Sequence, residues 1–160
     1  MTSKILFTLI ITLTLIPAIS AGQSKPVNIA LFNPIQIFPE DNSITGVRLN
    51  LLYGKNAAVS GLDLGFVNHV GTGGFTGLEW GAVNICDGKL SGLQGGFLNL
   101  ANQDVEGFQY GWFNKGEHVS GVQLGLVNMA ESMKGLQVGL INMIKHGGQF
   151  PIFPIVNWSF

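Results

Sequence analysis

The chain has 160 residues, room for one domain. Only 11% of residues are charged, and 8 Lys and Arg nearly balance 9 Asp and Glu, which excludes a nucleic-acid binder built on a basic patch and a charged disordered tail. Glycine is abundant at 23 residues and proline scarce at 6, so the chain is neither collagen-like nor a linker, and a single cysteine excludes a disulfide framework or a cysteine zinc cluster.

Residues 1–21 read as a secretory signal. Lys4 supplies the positive start, Ile5 to Pro17 is an apolar run broken only by Thr, and Ala18-Ile19-Ser20-Ala21 offers small residues for cleavage. The run is too short for a stable membrane-spanning helix. The expected organisation is a signal over 1–21 and one β-repeat domain over 22–160, with clear repeats over 46–142 and a C-terminal strand over 150–160. Export to the outer membrane or cell surface is the expected location, with the periplasm as the alternative.

A repeat of about fifteen residues fills the rest: Gly, apolar, polar, apolar, Gly, apolar, apolar, Asn. It begins at Gly46, Gly61, Gly77, Gly92, Gly107, Gly121 and Gly135, at spacings of 15, 16, 15, 15, 14 and 14. Degenerate copies flank it at Pro26 to Asn33 and Phe150 to Asn157. Positions 2, 4 and 6 are nearly all apolar, as in Leu136, Val138 and Leu140, whereas positions 1, 3 and 5 are Gly, polar, Gly. That period of two predicts strands with one oily face and one slim face carrying a single polar group. Asn at position 8 reads as a turn residue.

Two all-β architectures accommodate such strands. The first is an outer-membrane-type β-barrel of repetitive antiparallel strands, its oily face on lipid and its polar row inside a narrow lumen. In that row Arg48, Asp63, Glu79, Gln94, Gln109, Gln123 and Gln137 form a candidate lumen or ligand cluster. Phe108, Tyr110 and Trp112 on one oily strand suit lipid, and a terminus ending in Trp158 and Phe160 resembles a membrane-insertion signal. The alternative is a parallel β-solenoid, its oily face in a stacked core and its Gln row exposed. Uniform connectors favour it. So does the short apolar band: positions 2 to 6 span about 13 Å at roughly 3.3 Å per residue, well below the belt of about 25 Å a membrane barrel needs. The barrel is the leading expectation.

The units Gly121-Val122-Gln123-Leu124-Gly125-Leu126-Val127-Asn128 and Gly135-Leu136-Gln137-Val138-Gly139-Leu140-Ile141-Asn142 resemble the repeat of bacterial surface-repeat proteins first described in spirochaetes. The resemblance covers roughly residues 44 to 145, and the ending 151–160 is similar too. It implies an exported, envelope-associated protein and supplies no catalytic residues. Arg48, Asp63 and Glu79 depart from its Gln, and Asn50 from its Gly.

Chemistry-bearing motifs are sparse. His69, His118 and His146 sit in connectors without zinc-ligand spacing. Asp87, Asp104, Glu106, Glu117 and Glu131 lie in connectors that lack a calcium-loop pattern. Gly71-Thr72-Gly73-Gly74 lacks the ending of a phosphate loop. Cys86 reads as an unpartnered thiol, packed or exposed. The expected function is an exported cell-envelope protein with a structural or surface-interaction role, no catalysis and no cofactor. Outer-membrane lipid and the insertion machinery are its expected partners. The alternative function is a soluble periplasmic or extracellular binding module using its Gln-lined face or connector rim.

Overall fold

The computed structural model describes residues 24–160; the expected signal at 1–21 lies outside the described residues. Six extended elements follow in order: β1 (Ser24–Phe32), β2 (Ile35–Gln36), β3 (Ser43–Cys86), β4 (Leu90–Ala101), β5 (Val105–His146) and β6 (Ile152–Ser159). β3 and β5 are 44 and 42 residues long because each winds through several repeats without a break. Repeats stack in parallel and in register: Gly77, Glu79 and Asn84 lie opposite Gly92, Gln94 and Asn99, which lie opposite Gly107, Gln109 and Asn114. One repeat is one turn of a β-solenoid.

The all-β class and the repeating strands are as expected; the barrel is not. Barrel strands alternate in direction, whereas these run parallel in one sheet ordered β2-β1-β3-β4-β5-β6. The reason lies in the unit length. Fourteen to sixteen residues bring the chain back above its own start, so each copy lands on the identical positions of the copy before.

The cross-section is set by which positions point inward. Position 3 is buried in every repeat. Position 8 is buried as Asn68, Asn84, Asn99, Asn114, Asn128 and Asn142. An apolar residue two before each Gly (Val59, Phe75, Leu90) and another two after each Asn but Asn114 (Val70, Cys86, Ala101) complete the interior. Positions 6 and 7 both face outward, as at Leu140 and Ile141, so the alternation breaks and the coil turns a corner there. The first Gly of each unit permits close stacking. Gly121 has φ 147°, and a Cβ on it would fall within 3 Å of the Gly107 carbonyl oxygen.

Both ends are closed by strands of altered direction. At the start, β1 continues the parallel stack, with Val27 opposite Val47 and Asn28 opposite Arg48, and β2 folds back antiparallel on β1. At the end, β6 pairs antiparallel with β5, Gln137 facing Asn157. The Pro26 copy is therefore a true coil, whereas the Phe150 copy is a reversed cap. Ile155 takes φ 69° where the register slips, Ile152 to Ile155 are all exposed, and Asn157 is the inward residue. Pro154 on this strand lacks a backbone donor, which discourages a further strand from adding there.

Candidate functional site

The slim polar face lies inside and the oily face outside. This sidedness was expected of a barrel and is the reverse of the expected solenoid, whose Gln row was to be exposed. Gln94, Gln109, Gln123 and Gln137 are all 0% exposed. Burial is tolerable because each amide donates to a partner and all but Gln137, at the end of the column, also accept from one. Gln137 Nε2 donates to Gln123 Oε1 at 2.7 Å, Gln123 to Gln109 at 2.7 Å, Gln109 to Gln94 at 2.8 Å, and Gln94 to Glu79 Oε2 at 2.8 Å. Gln109, Gln123 and Gln137 also donate to a backbone carbonyl of their own coil, at Lys115, Met129 and Met143. The Asn column forms a second ladder running the other way. Asn84 Nδ2 donates forward to Asn99 Oδ1, Asn99 to Asn114, and Asn114 to Asn128, each at 2.8 Å. The turn reading of position 8 missed this ladder. The available signal was the retention of Asn in six of the seven repeats, where a turn would accept Asp, Ser or Gly as well.

Arg48, Asp63 and Glu79 meet in the same column, as the sequence suggested, but in a packed interior and not a lumen. Arg48 grips Asp63 with two donors, Nε to Oδ1 at 2.9 Å and Nη2 to Oδ2 at 2.5 Å, and gives Nη1 to the His69 carbonyl at 2.9 Å. Asn50, the departure from Gly, starts the Asn ladder by donating to Asn68 Oδ1 at 2.7 Å, because Tyr53 occupies position 8 of that repeat. With every member of the cluster buried, it offers no surface to a ligand.

Burial, then the neighbouring Asp63 carboxylate, pushes Glu79 well above the ordinary carboxylate range. The folded chain therefore holds a proton that the unfolded chain releases near 4.5, so stability is greatest below that value and falls as pH rises through the folded pKa. Glu79→Gln replaces the protonated acid by an amide suited to the ladder. Thermal melts should show the native chain losing stability as pH rises above about 4.5, and the variant losing most of that slope. An unchanged slope would place the titration elsewhere.

The connector side carries the charges. His69 accepts or donates to Tyr53 OH at 2.9 Å through Nδ1 and meets Asp87 Oδ2 at 2.7 Å through Nε2, while Asn102 donates to Asp87 Oδ1 at 2.9 Å. This Tyr–His–Asp chain braces four successive coils. Its hydrogen bond to His69 lowers the Asp87 pKa, whereas burial raises that of Tyr53, the wrong direction for a nucleophile. Irregular connector lengths hid it in the sequence. His118 Nδ1 lies 2.8 Å from Ser132 Oγ, exposed and one coil apart. Glu106 pairs with Lys89 at 2.6 Å and Glu131 with Lys145 at 2.5 Å, so these acids neutralise lysines across coils and do not converge on one rim. Among the described residues no group of three or more His, Cys, Asp or Glu could hold a metal ion. Cys86 is the packed alternative: its Sγ donates to the Gly88 carbonyl at 3.3 Å, and burial raises its thiol pKa to about 12.

The outer face is the candidate site. Positions 2, 4, 6 and 7 of all seven repeats carry no charged residue. Leu140 is 67% exposed, Trp112 63% and Phe66 61%. The position-4 and position-6 rows stand on either side of the second Gly row, forming an open apolar groove of about 890 Å³ over Gly65, Gly81, Gly96, Gly111, Gly125 and Gly139. Aromatic rings wall its middle. Trp80 lies over Gly95, where a Cβ would collide with the indole, and stacks on Tyr110 at 6.2 Å and 23°. Across the groove Phe97 meets Trp112 edge-on at 5.0 Å. Gly95 thus leaves room for the Trp80 indole beside Tyr110. Phe160, at 92% exposure, and half-buried Trp158 belong to the cap.

No family model, curated protein or solved structure matches the chain. The fold alone gives the class: a parallel β-solenoid with paired amides inside and an apolar groove outside.

Proposed function

We propose that the chain is a non-catalytic β-solenoid binding module of the bacterial cell envelope, exported by its N-terminal segment, that holds an apolar partner against its outer groove. Membership of the surface-repeat family is part of this reading, on the strength of the Gly-x-Gln-x-Gly-x-x-Asn units. The carrying observation is the inversion itself: the chain buries amides and leaves its largest apolar side chains in contact with solvent. Five aromatics of about 150–250 Å² each stand roughly half exposed, on the order of 500 Å² before any leucine is counted, against about 300–600 Å² for the largest patch on a typical monomer. The Gln-lined face is no longer a binding surface in this reading, since it is buried. Sugar stacking on the aromatics is disfavoured by a groove wall without charged side chains.

The test is fractionation of cells expressing the chain or its Leu126→Lys/Leu140→Lys variant. Both leucines are exposed, so circular dichroism should be unchanged. The native chain should remain with the envelope and the variant should be released in large part as soluble protein. Equal partition of the two would end this reading.

A further inference from the structure

Resting on that reading, we infer that the partner is the hydrocarbon of one bilayer leaflet, with the corner of the solenoid dipping into it and the connectors left in water. Three observations select a lipid surface over a second copy of the chain. First, the apolar residues lie on both sides of the corner. Positions 2 and 4 precede it and position 7 follows it, as Leu136, Val138 and Ile141 do around Gly139 and Leu140. A rigid flat partner covers one flank; a fluid medium covers both. Second, the depth fits. The span from position 2 to position 6 is about 13 Å, too short to cross a bilayer core of about 30 Å yet close to one leaflet of it. Third, polar residues begin at both margins of the band. Ser60, Thr76, Ser91 and Ser120 precede the units, and Lys55 and Lys115 follow two of them. Charges in the connectors from 55 to 146 balance, five lysines against five acids, so attraction to anionic headgroups is not needed.

The experiment floats the purified chain with phosphatidylcholine vesicles, without and with anionic lipid, at low and high salt, and measures tryptophan quenching by lipids brominated along the acyl chain. All three tryptophans, Trp80, Trp112 and Trp158, lie in the described solenoid, so quenching reports on it and not on the N-terminal segment. The expected result is flotation on neutral vesicles that high salt leaves unchanged, with quenching reduced in Trp112→Phe and the remainder carried by Trp80 in the same groove. Leu126→Lys/Leu140→Lys should weaken flotation at least tenfold. Chain that stays in the aqueous fraction overturns the inference, whether as a dimer, which would make a second copy the cover, or as a monomer. Flotation without acyl-chain quenching overturns it too, as does flotation equal in the lysine variant. A chain that remains with the cell envelope yet ignores pure lipid would leave the binding-module reading standing and point to an apolar protein surface as the partner instead.

Discussion

Gly121→Ala should destabilise the solenoid by about 2–6 kcal/mol, combining the cost of a side chain in a glycine-only conformation with that of overpacking against backbone. Gly121 has φ 147°, and the added Cβ would meet the carbonyl carbon and oxygen of Gly107, neither of which can move without separating two coils. Gly147→Ala is the internal control. Gly147 also has a positive φ, of 76°, yet a Cβ there meets nothing within 4 Å, so only the backbone cost applies. Urea unfolding followed by circular dichroism should separate the two variants clearly. Similar midpoints for both would show that coil contact at the first glycine is not what limits stacking.

The second large effect concerns the one ion pair in the interior column. Arg48→Met should cost about 3–5 kcal/mol, because it leaves the Asp63 carboxylate buried without its partner. Losing the donors to His69 O and Asn56 adds to that. The triple variant Arg48→Gln/Asp63→Gln/Glu79→Gln removes all three charges and extends the amide ladder toward the first coil. It should recover most of the loss and melt well above the single variant. If the triple variant melts no higher than Arg48→Met, the charges have a stabilising role that amides cannot take over.

Periodicity made much of this molecule legible before its coordinates. The alternation in Gly135-Leu136-Gln137-Val138-Gly139 defined strands with two unlike faces, and the spacing of the glycines defined the coil length. The direction of stacking was not legible, because a strand pattern looks the same whether its neighbour runs parallel or antiparallel. Sidedness was misjudged for the solenoid because a lone Gln is normally surface-seeking. Only a partner of the same type one coil away, as Gln109 is to Gln123, makes its burial inexpensive, and that partner exists only after the stack is formed. The ladder role of Asn99 was hidden behind its ordinary use in turns. Tyr53, His69 and Asp87 came together through connectors of unequal length, which no repeat alignment places in one row.

The two amide columns direct their N–H donors in opposite directions, one toward each end of the molecule. An extra copy of the unit inserted anywhere among the Gln repeats would meet a matching donor on one side and a matching acceptor on the other, with the sides exchanged between the two columns. Gene duplication could therefore lengthen the molecule one rung at a time without redesign, while the charged start and the reversed finish stay as they are. The number of rungs would set how long a contact line the molecule draws across whatever it rests on.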